Sequence, residues 1–312
     1  MDLLSPVLAA QDGAVSRTQL LECGLQPHDV RRMVRRRELS PVHPGVYVTH
    51  TGPLSDRQRL WAASLAVSGG VLAGRAAQCL GGVAVARGAL DVVEVVVPFT
   101  ASGRQGLAGV EVRRRRGWDG LVVVGSPPRM RVEDATVDLA DRAVDVLGVV
   151  DELTRAVQSR RTTAERLLVT ARNRPRLRRR TFLEDVLADV VTGACSVLEH
   201  GYLTRVERPH GLPVGRRQVR VVGPGGRSAF EDVEYDGGLV MELDGRLGHD
   251  SARGRDADFD RDLEAAADRR RTSRISYGQV FGRACWTAER VGRLLRTVCG
   301  WDGEMQACRF CA

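Results

Sequence analysis

The chain has 312 residues, enough for two or three domains with a buried core, and its formal net charge of +8 favours a polyanionic partner. All 47 of its basic residues are arginine, a usage that reads as coding bias as much as a choice made for function. No run approaches the ~18 consecutive apolar residues that span a bilayer, the amino terminus has no basic n-region, and seven scattered cysteines do not read as a disulfide framework. The expected setting is therefore a reducing cytoplasm with no membrane partner, and an aromatic content of 4% disfavours an extensive base-stacking platform for single strands.

Residues 1–52 are predicted to form a winged helix-turn-helix. Leu3–Gln11 reads as a first helix ended by Gly13. Ser16-Arg17-Thr18-Gln19 fits a capping box, and Gly24 closes the short helix that follows. Pro27 suits the first turn of the next helix. Along His28–Arg37, His28, Arg31, Arg32 and Arg35 make a polar face while Val30, Met33 and Val34 make an apolar one, as a recognition helix requires. Leu39–Val42 and Val46–Val48, joined through His43-Pro44-Gly45, supply the wing. The same pattern also fits a small three-helix interaction module with a solvated basic face. The stretch GAVSRTQLLECGLQPHDVRRMVRRRELSPVHPGVYV resembles the amino-terminal winged helix of AbiEi-type antitoxins of toxin-antitoxin and abortive-infection systems. That resemblance implies double-stranded DNA as a partner and a cognate toxin or other defence-system partner, and it places Arg31, Arg32, Arg35 and Arg36 near the DNA.

Residues 53–180 read as an α+β middle module with an Arg-rich linker. Helices are predicted over Asp56–Val67, Ala73–Leu80, Thr136–Arg142 and Asp151–Gln158, and strands over Val92–Val97 and Val110–Arg114. No phosphate-cradling glycine motif and no Ser/His/Asp pattern occurs here. The Arg113–Arg116 run reads either as a phosphate contact or as a solvated strand end. Arg172–Arg180, RNRPRLRRR, reads as a charged joint, either a solvated hinge or a segment that follows DNA.

Residues 181–300 have the predicted order α-β-β-β-α-β. A helix over Ser196–Glu207 carries Glu199 beside its apolar stripe, and strands follow over Arg217–Val222 and on both sides of Asp236-Gly237-Gly238. A helix over Asp256–Arg270, a strand over Thr272–Phe281 and a final helix over Thr287–Val298 complete it. A three-residue loop at 236–238 puts Val233, Tyr235, Leu239, Met241 and Leu243 on one face and Asp232, Glu242 and Asp244 on the other; a two-residue loop would scramble both. Asp232 then stands opposite Glu242, where paired Cβ atoms are about 5 Å apart. Such acids either line a solvated face or hold a hard divalent cation such as Mg²⁺.

The stretch FEDVEYDGGLVMELDGRLGH, in that element order, resembles the PD-(D/E)xK restriction-endonuclease-like nucleases and, within them, relatives of the very-short-patch-repair endonucleases, over Leu183–Val298. The resemblance implies Mg²⁺ or Mn²⁺ at Asp232 and Glu242, with Glu199 holding metal through water, for phosphodiester hydrolysis in genome defence or DNA repair. Asp244 takes the place of the motif's lysine, and the chain contains no lysine. Very-short-patch-repair relatives also lack that lysine and carry a histidine a few residues on, which His249 matches as a general base or acid; a solvated histidine is the other reading. Arg255, Arg261 and Arg274 read as phosphate clamps or as surface and ion-paired arginines.

Residues 301–312 read as a tail. Its C-x-x-C, Cys308 and Cys311, supplies two of the four ligands of a structural zinc, and Cys285 and Cys299 stand at no recognisable spacing, so no zinc site is expected. Two functions follow: a DNA-binding, metal-dependent endonuclease, or an antitoxin or transcriptional regulator in which the nuclease fold is an inactive scaffold.

Overall fold

A computed structural model describes residues 3–101, 106–117, 120–192, 196–222, 228–244, 271–309 and 311. These form a mixed α/β structure with three sheets, and none of the described helices is long and apolar enough to cross a membrane. The chain divides into two units, Met1–Leu139 and Ala140–Ala312, whereas the sequence suggested boundaries after residues 52 and 180. Part of the reason is Trp61, outside the first predicted domain, which packs against Ala14 and Val48 inside it.

The first unit begins with α1 (Leu4–Ala10), β1 (Ala14–Ser16), α2 (Arg17–Glu22), α3 (Pro27–Arg35), β2 (Ser40–His43) and β3 (Val46–Val48). The expected capping box starts α2: Ser16 Oγ accepts from Gln19 N at 3.1 Å, and Gln19 Oε1 accepts from Ser16 N at 2.9 Å. Pro27 opens α3, where Asp29 accepts from Gln26 N at 3.0 Å, a bond that holds the Asp29 carboxyl below its ordinary range. The helix ends before the predicted Arg37, because Arg37 turns left-handed at φ +60° and its neighbour Glu38 donates back to Met33 O at 3.0 Å. The antiparallel sheet runs β1-β3-β2, with β1 an addition to the predicted wing. Val15, Leu20, Val30 and Leu39 form the core beneath α3, joined by Met33 and Val34.

The unit continues with α4 (Asp56–Ala66), β4 (Val71–Leu72), α5 (Gly74–Leu80), β5 (Val93–Pro98), β6 (Val110–Arg115), β7 (Val122–Val123), β8 (Arg129–Met130) and α6 (Val132–Arg142), which crosses into the second unit. The sheet order is β6-β5-β4-β8-β7. Three cations of the Arg113–Arg116 run meet protein groups: Arg115 ion-pairs with Asp138, Arg113 lies 3.6 Å from Glu111, and Arg116 stacks 4.3 Å above Phe99.

The second unit holds α7 (Val146–Gln158), α8 (Ala164–Asn173), α9 (Arg180–Thr192), α10 (Ser196–Gly201), β9 (Arg216–Val222), β10 (Ser228–Tyr235), β11 (Leu239–Asp244), β12 (Arg271–Ser276) and α11 (Ala284–Cys299). The arginine run is a short connection between α8 and α9. The Asp141 carboxylate accepts from the Arg178 and Arg179 amides at 2.7 and 3.2 Å, and Arg180 pairs with Glu184 at 2.8 Å. The sheet order is β12-β11-β10-β9, with β11 and β12 parallel and the other pairs antiparallel. A parallel pair needs a long crossover, for which residues 245–270 supply the length; the predicted helix Asp256–Arg270 lies outside the described residues. The last predicted strand stops at Ser276, whose amide donates to Gln279 Oε1 at 2.9 Å as the chain turns into a π-helical turn over Gly278–Gly282.

Asp138 gives the first unit a pH dependence. Burial pushes its carboxyl up from 3.8 to about 6 despite the Arg115 guanidinium beside it. A raised carboxyl binds its proton more tightly in the folded state, so the stability it contributes is complete below pH 3.8 and is lost as pH rises through about 6. Urea unfolding of the wild type is expected to lose on the order of 2 kcal/mol across that window, a slope that Asp138→Asn flattens.

Candidate functional site

The hairpin of β10 and β11 sets the geometry. Gly237 and Gly238 turn it at φ +98° and +83°, and a Cβ on Gly237 would sit 2.8 Å from Cys299 Cα at the end of α11, so glycine is required there twice over. Pairing runs Tyr235 to Leu239, Glu234 to Val240 and Val233 to Met241, which is the three-residue-loop register and brings Asp232 next in line with Glu242. Val233, Tyr235, Leu239, Met241 and Leu243 are all buried, while Asp232 and Glu242 are partly exposed and Asp244 is exposed.

At Asp232 the ladder lapses. On the β9 side, Val233 pairs with Arg217 and Glu231 with Val219, but the Asp232–Gln218 step between them is skipped. Gln218 turns to φ +49°, an unfavourable backbone for a side chain of its kind, and donates through Nε2 to Glu199 Oε1 at 2.6 Å. On the other side the Asp232 carboxylate accepts from Leu243 N at 2.7 Å. Burial pushes the Asp232 carboxyl up; the Leu243 amide opposes this, and the charges of Glu242 and Asp244 add to it. Glu199 is raised in the same way, by burial first and also by Asp232. The fold therefore brings Glu199 from α10, and Glu242 and Asp244 from β11, within electrostatic reach of Asp232 on β10. Arg274, directly beside Glu242 on β12, pairs with it at 3.0 Å. His249, Arg255 and Arg261 lie outside the described residues.

Beneath this edge lies a polar network that no motif announced. After α10 the helix widens into π-helical turns over Tyr202–Glu207, which bring the fully buried Glu207 under the sheet. Its carboxylate pairs with Arg217 on β9, accepts from Tyr235 Oη on β10 and from Gly215 N at 3.3 Å, and Tyr235 Oη lies 3.0 Å from Tyr202 Oη. Burial drives both phenols well above their ordinary range, so both remain protonated. The only sequence signal was an acid, Glu207, next to the apolar stripe of its predicted helix.

In the first unit His28, Arg31, Arg32, Arg35 and Arg36 are all exposed on or just beyond α3. Arg32 pairs with Asp29 at 3.0 Å and Arg36 lies 4.0 Å from Glu38; Arg32 and Arg35 also sit in the last turn, where cations complement the helix dipole. No protein-family model and no curated protein matches the sequence.

The carboxylates are not the group best closed for a metal. Among the described residues, one set of three or more ligating side chains converges, with all ligand atoms within 4.8 Å: His210, Cys285, Cys308 and Cys311. This corrects the expectation that the C-x-x-C stands without further ligands. His210 and Cys285 come from elements 98 and 23 residues earlier in the chain than Cys308, distances at which no spacing rule operates.

Two stability changes distinguish the edge from its support. Asp232→Asn keeps an oxygen for the Leu243 amide and removes a carboxyl that the fold prefers protonated, so thermal unfolding is expected to show a gain of about 0.5–2 kcal/mol. Glu207→Ala leaves Arg217 without its buried partner and is expected to cost about 3–5 kcal/mol by the same measurement.

Proposed function

We propose that this chain is a DNA-binding protein whose second unit is a metal-dependent DNA endonuclease of the PD-(D/E)xK type, serving genome defence or DNA repair. The observation that carries the reading is the lapse of the β10 ladder at Asp232, where acids from three elements meet and carboxyls rise. A strained backbone and like charges held together in a fold fit a place kept for a ligand rather than for stability. The donors are all carboxylate oxygens, the chemistry that suits Mg²⁺ or Mn²⁺, and the bonds named above occupy one oxygen each of Asp232, Glu242 and Glu199. In this reading Asp232 and Glu242 are the metal ligands, Glu199 a ligand through water, and Asp244 and His249 assist proton transfer at the scissile phosphate. A bound divalent cation would supply Lewis-acid stabilisation of charge developing on the phosphate. Gln218 fixes the rotamer of Glu199, and Arg274 moves between Glu242 and a phosphate oxygen.

The first unit supplies the DNA contact in this proposal, its amino-terminal part acting as a winged helix. Its α3 is seated by Val30, Met33 and Val34 and presents Arg31, Arg32, Arg35, Arg36 and His28.

A second reading, an AbiEi-like antitoxin or transcriptional regulator with an inactive nuclease scaffold, is favoured by one observation: Arg274 already neutralises an acid that the first reading gives to the metal.

Nicking of supercoiled plasmid in Mg²⁺ or Mn²⁺ decides between them. Cleavage by the wild type that Asp232→Ala and Glu242→Ala both lose is the expected result; equal cleavage by all three proteins removes the assignment, and retained DNA binding without cleavage favours the regulator. Replacing Arg31 and Arg35 with alanine is expected to weaken duplex binding and to lower the slope of log affinity against log salt by about one for each phosphate no longer neutralised. An unchanged slope in a filter-binding or fluorescence titration would place the DNA elsewhere.

A further inference from the structure

The second unit contains a cluster that the nuclease reading does not use. Behind the sheet, the chain leaves the π-helical turns through a 3-10 turn, Arg208–His210, and His210 is 1% exposed. Its Nδ1 lies 2.9 Å from the Val206 carbonyl, an acceptor, so Nδ1 carries the proton and Nε2 presents a lone pair. That Nε2 is buried and has no hydrogen-bond partner. An orphaned buried nitrogen is destabilising, and natural structures retain one where something else satisfies it.

Three sulfurs stand around it. Cys285 Sγ is 3.5 Å from Cys308 Sγ, and Cys308 Sγ is 3.6 Å from Cys311 Sγ. Disulfide sulfurs are about 2.05 Å apart, so neither pair is at bonding distance. Sulfurs at two corners of a tetrahedron with ~2.3 Å metal–sulfur bonds are about 3.8 Å apart, close to both observed separations.

The surrounding backbone brings these groups together without help from sequence spacing. The tail lies against the unit: Gln306 N donates to His210 O at 2.9 Å, and a Cβ on Gly292 of α11 would meet Met305 Sδ at 2.7 Å. Cys311 N donates to Cys308 O at 2.9 Å, closing the C-x-x-C into a turn with both thiols on one side. Cys285 is the second residue of α11, so the start of that helix sets its thiol beside the tail.

We propose that His210, Cys285, Cys308 and Cys311 bind one zinc ion as a closed, structural Cys3His site. Three soft thiolates and one imidazole select zinc over Mg²⁺ or Ca²⁺, and four protein ligands leave no position for substrate. The Val206 carbonyl is the outer partner that fixes the histidine tautomer. The ion fastens three remote pieces of chain: the turn after the helix that carries Glu199, the start of α11 and the tail. The tail is thereby part of the fold of the second unit. Zinc content is measured without DNA or cleavage, so this site stands or falls apart from the nuclease reading.

The test uses the full chain, expressed without a histidine tag in zinc-supplemented medium. Elemental analysis and native mass spectrometry are expected to find one zinc per chain, falling to background in Cys308→Ser and Cys311→Ser but retained in Cys79→Ser, which lies in the other unit. Metal-free protein titrated with Co²⁺ is expected to develop thiolate charge-transfer absorption and the intense visible bands of a tetrahedral site. Should the serine variants fail to fold, alkylation of the wild type tests the same ligands: zinc-loaded protein protects Cys285, Cys308 and Cys311, and chelation exposes them. Zinc content unchanged in the serine variants, three thiols equally reactive with and without zinc, or a disulfide joining two of them would overturn the assignment.

Discussion

The position of the acidic edge depends on one buried carboxylate. Glu207 lies in the widened turns of the helix that follows α10, and its bonds reach β9 through Arg217 and β10 through Tyr235. An ordinary α-helix repeats every 3.6 residues; the wider turn lets Tyr202 and Glu207 both point inward and share the Tyr235 hydroxyl. Helix and sheet are thus locked by direction-dependent bonds rather than by grease alone, which fixes Glu199 beside the lapse at Asp232. Charge-assisted bonds of this kind are strong when complete and costly when broken, so the network tolerates no partial substitution.

Much of this was legible in the residues, for physical reasons that can be named. The Ser16 capping box was readable because its bonds are local, and the hairpin register because one apolar face admits only one loop length. The end of α3 was misjudged by two residues since nothing in Arg37 advertises a left-handed turn. The two-residue strands β4, β7 and β8 carry too few residues for any alternation to show. Gln218 was invisible because its role lies in a backbone twist opposite Asp232. His210 and Cys285 were missed because their convergence is a property of the packed fold, and the packing of Trp61 against Ala14 and Val48 was invisible for the same reason.

An arginine-only chain also shows how little a net charge says about where an anion binds. Arg115, Arg180, Arg217 and Arg274 are all engaged by carboxylates of the same unit. Guanidinium groups make directional pairs of this sort, and partly buried ones hold the structure together. The cations of α3 differ in exposure: Arg32 also has a carboxylate partner in Asp29, but these arginines lie on the outside of a seated helix and not in a core.

The parallel pairing of β11 with β12 has a consequence for the order of assembly. Glu242 and Arg274 are 32 residues apart, whereas Asp232 and Glu242 are brought together by a tight turn. Loop-closure entropy makes the short hairpin the earlier event, and the pairing with β12 across its long crossover the later one. A folding chain therefore carries the acids face to face before β12 docks and brings the guanidinium of Arg274 beside them. The two strands of the hairpin must hold against that repulsion on the strength of Val233, Tyr235, Leu239 and Met241, the side chains that are buried in the finished sheet.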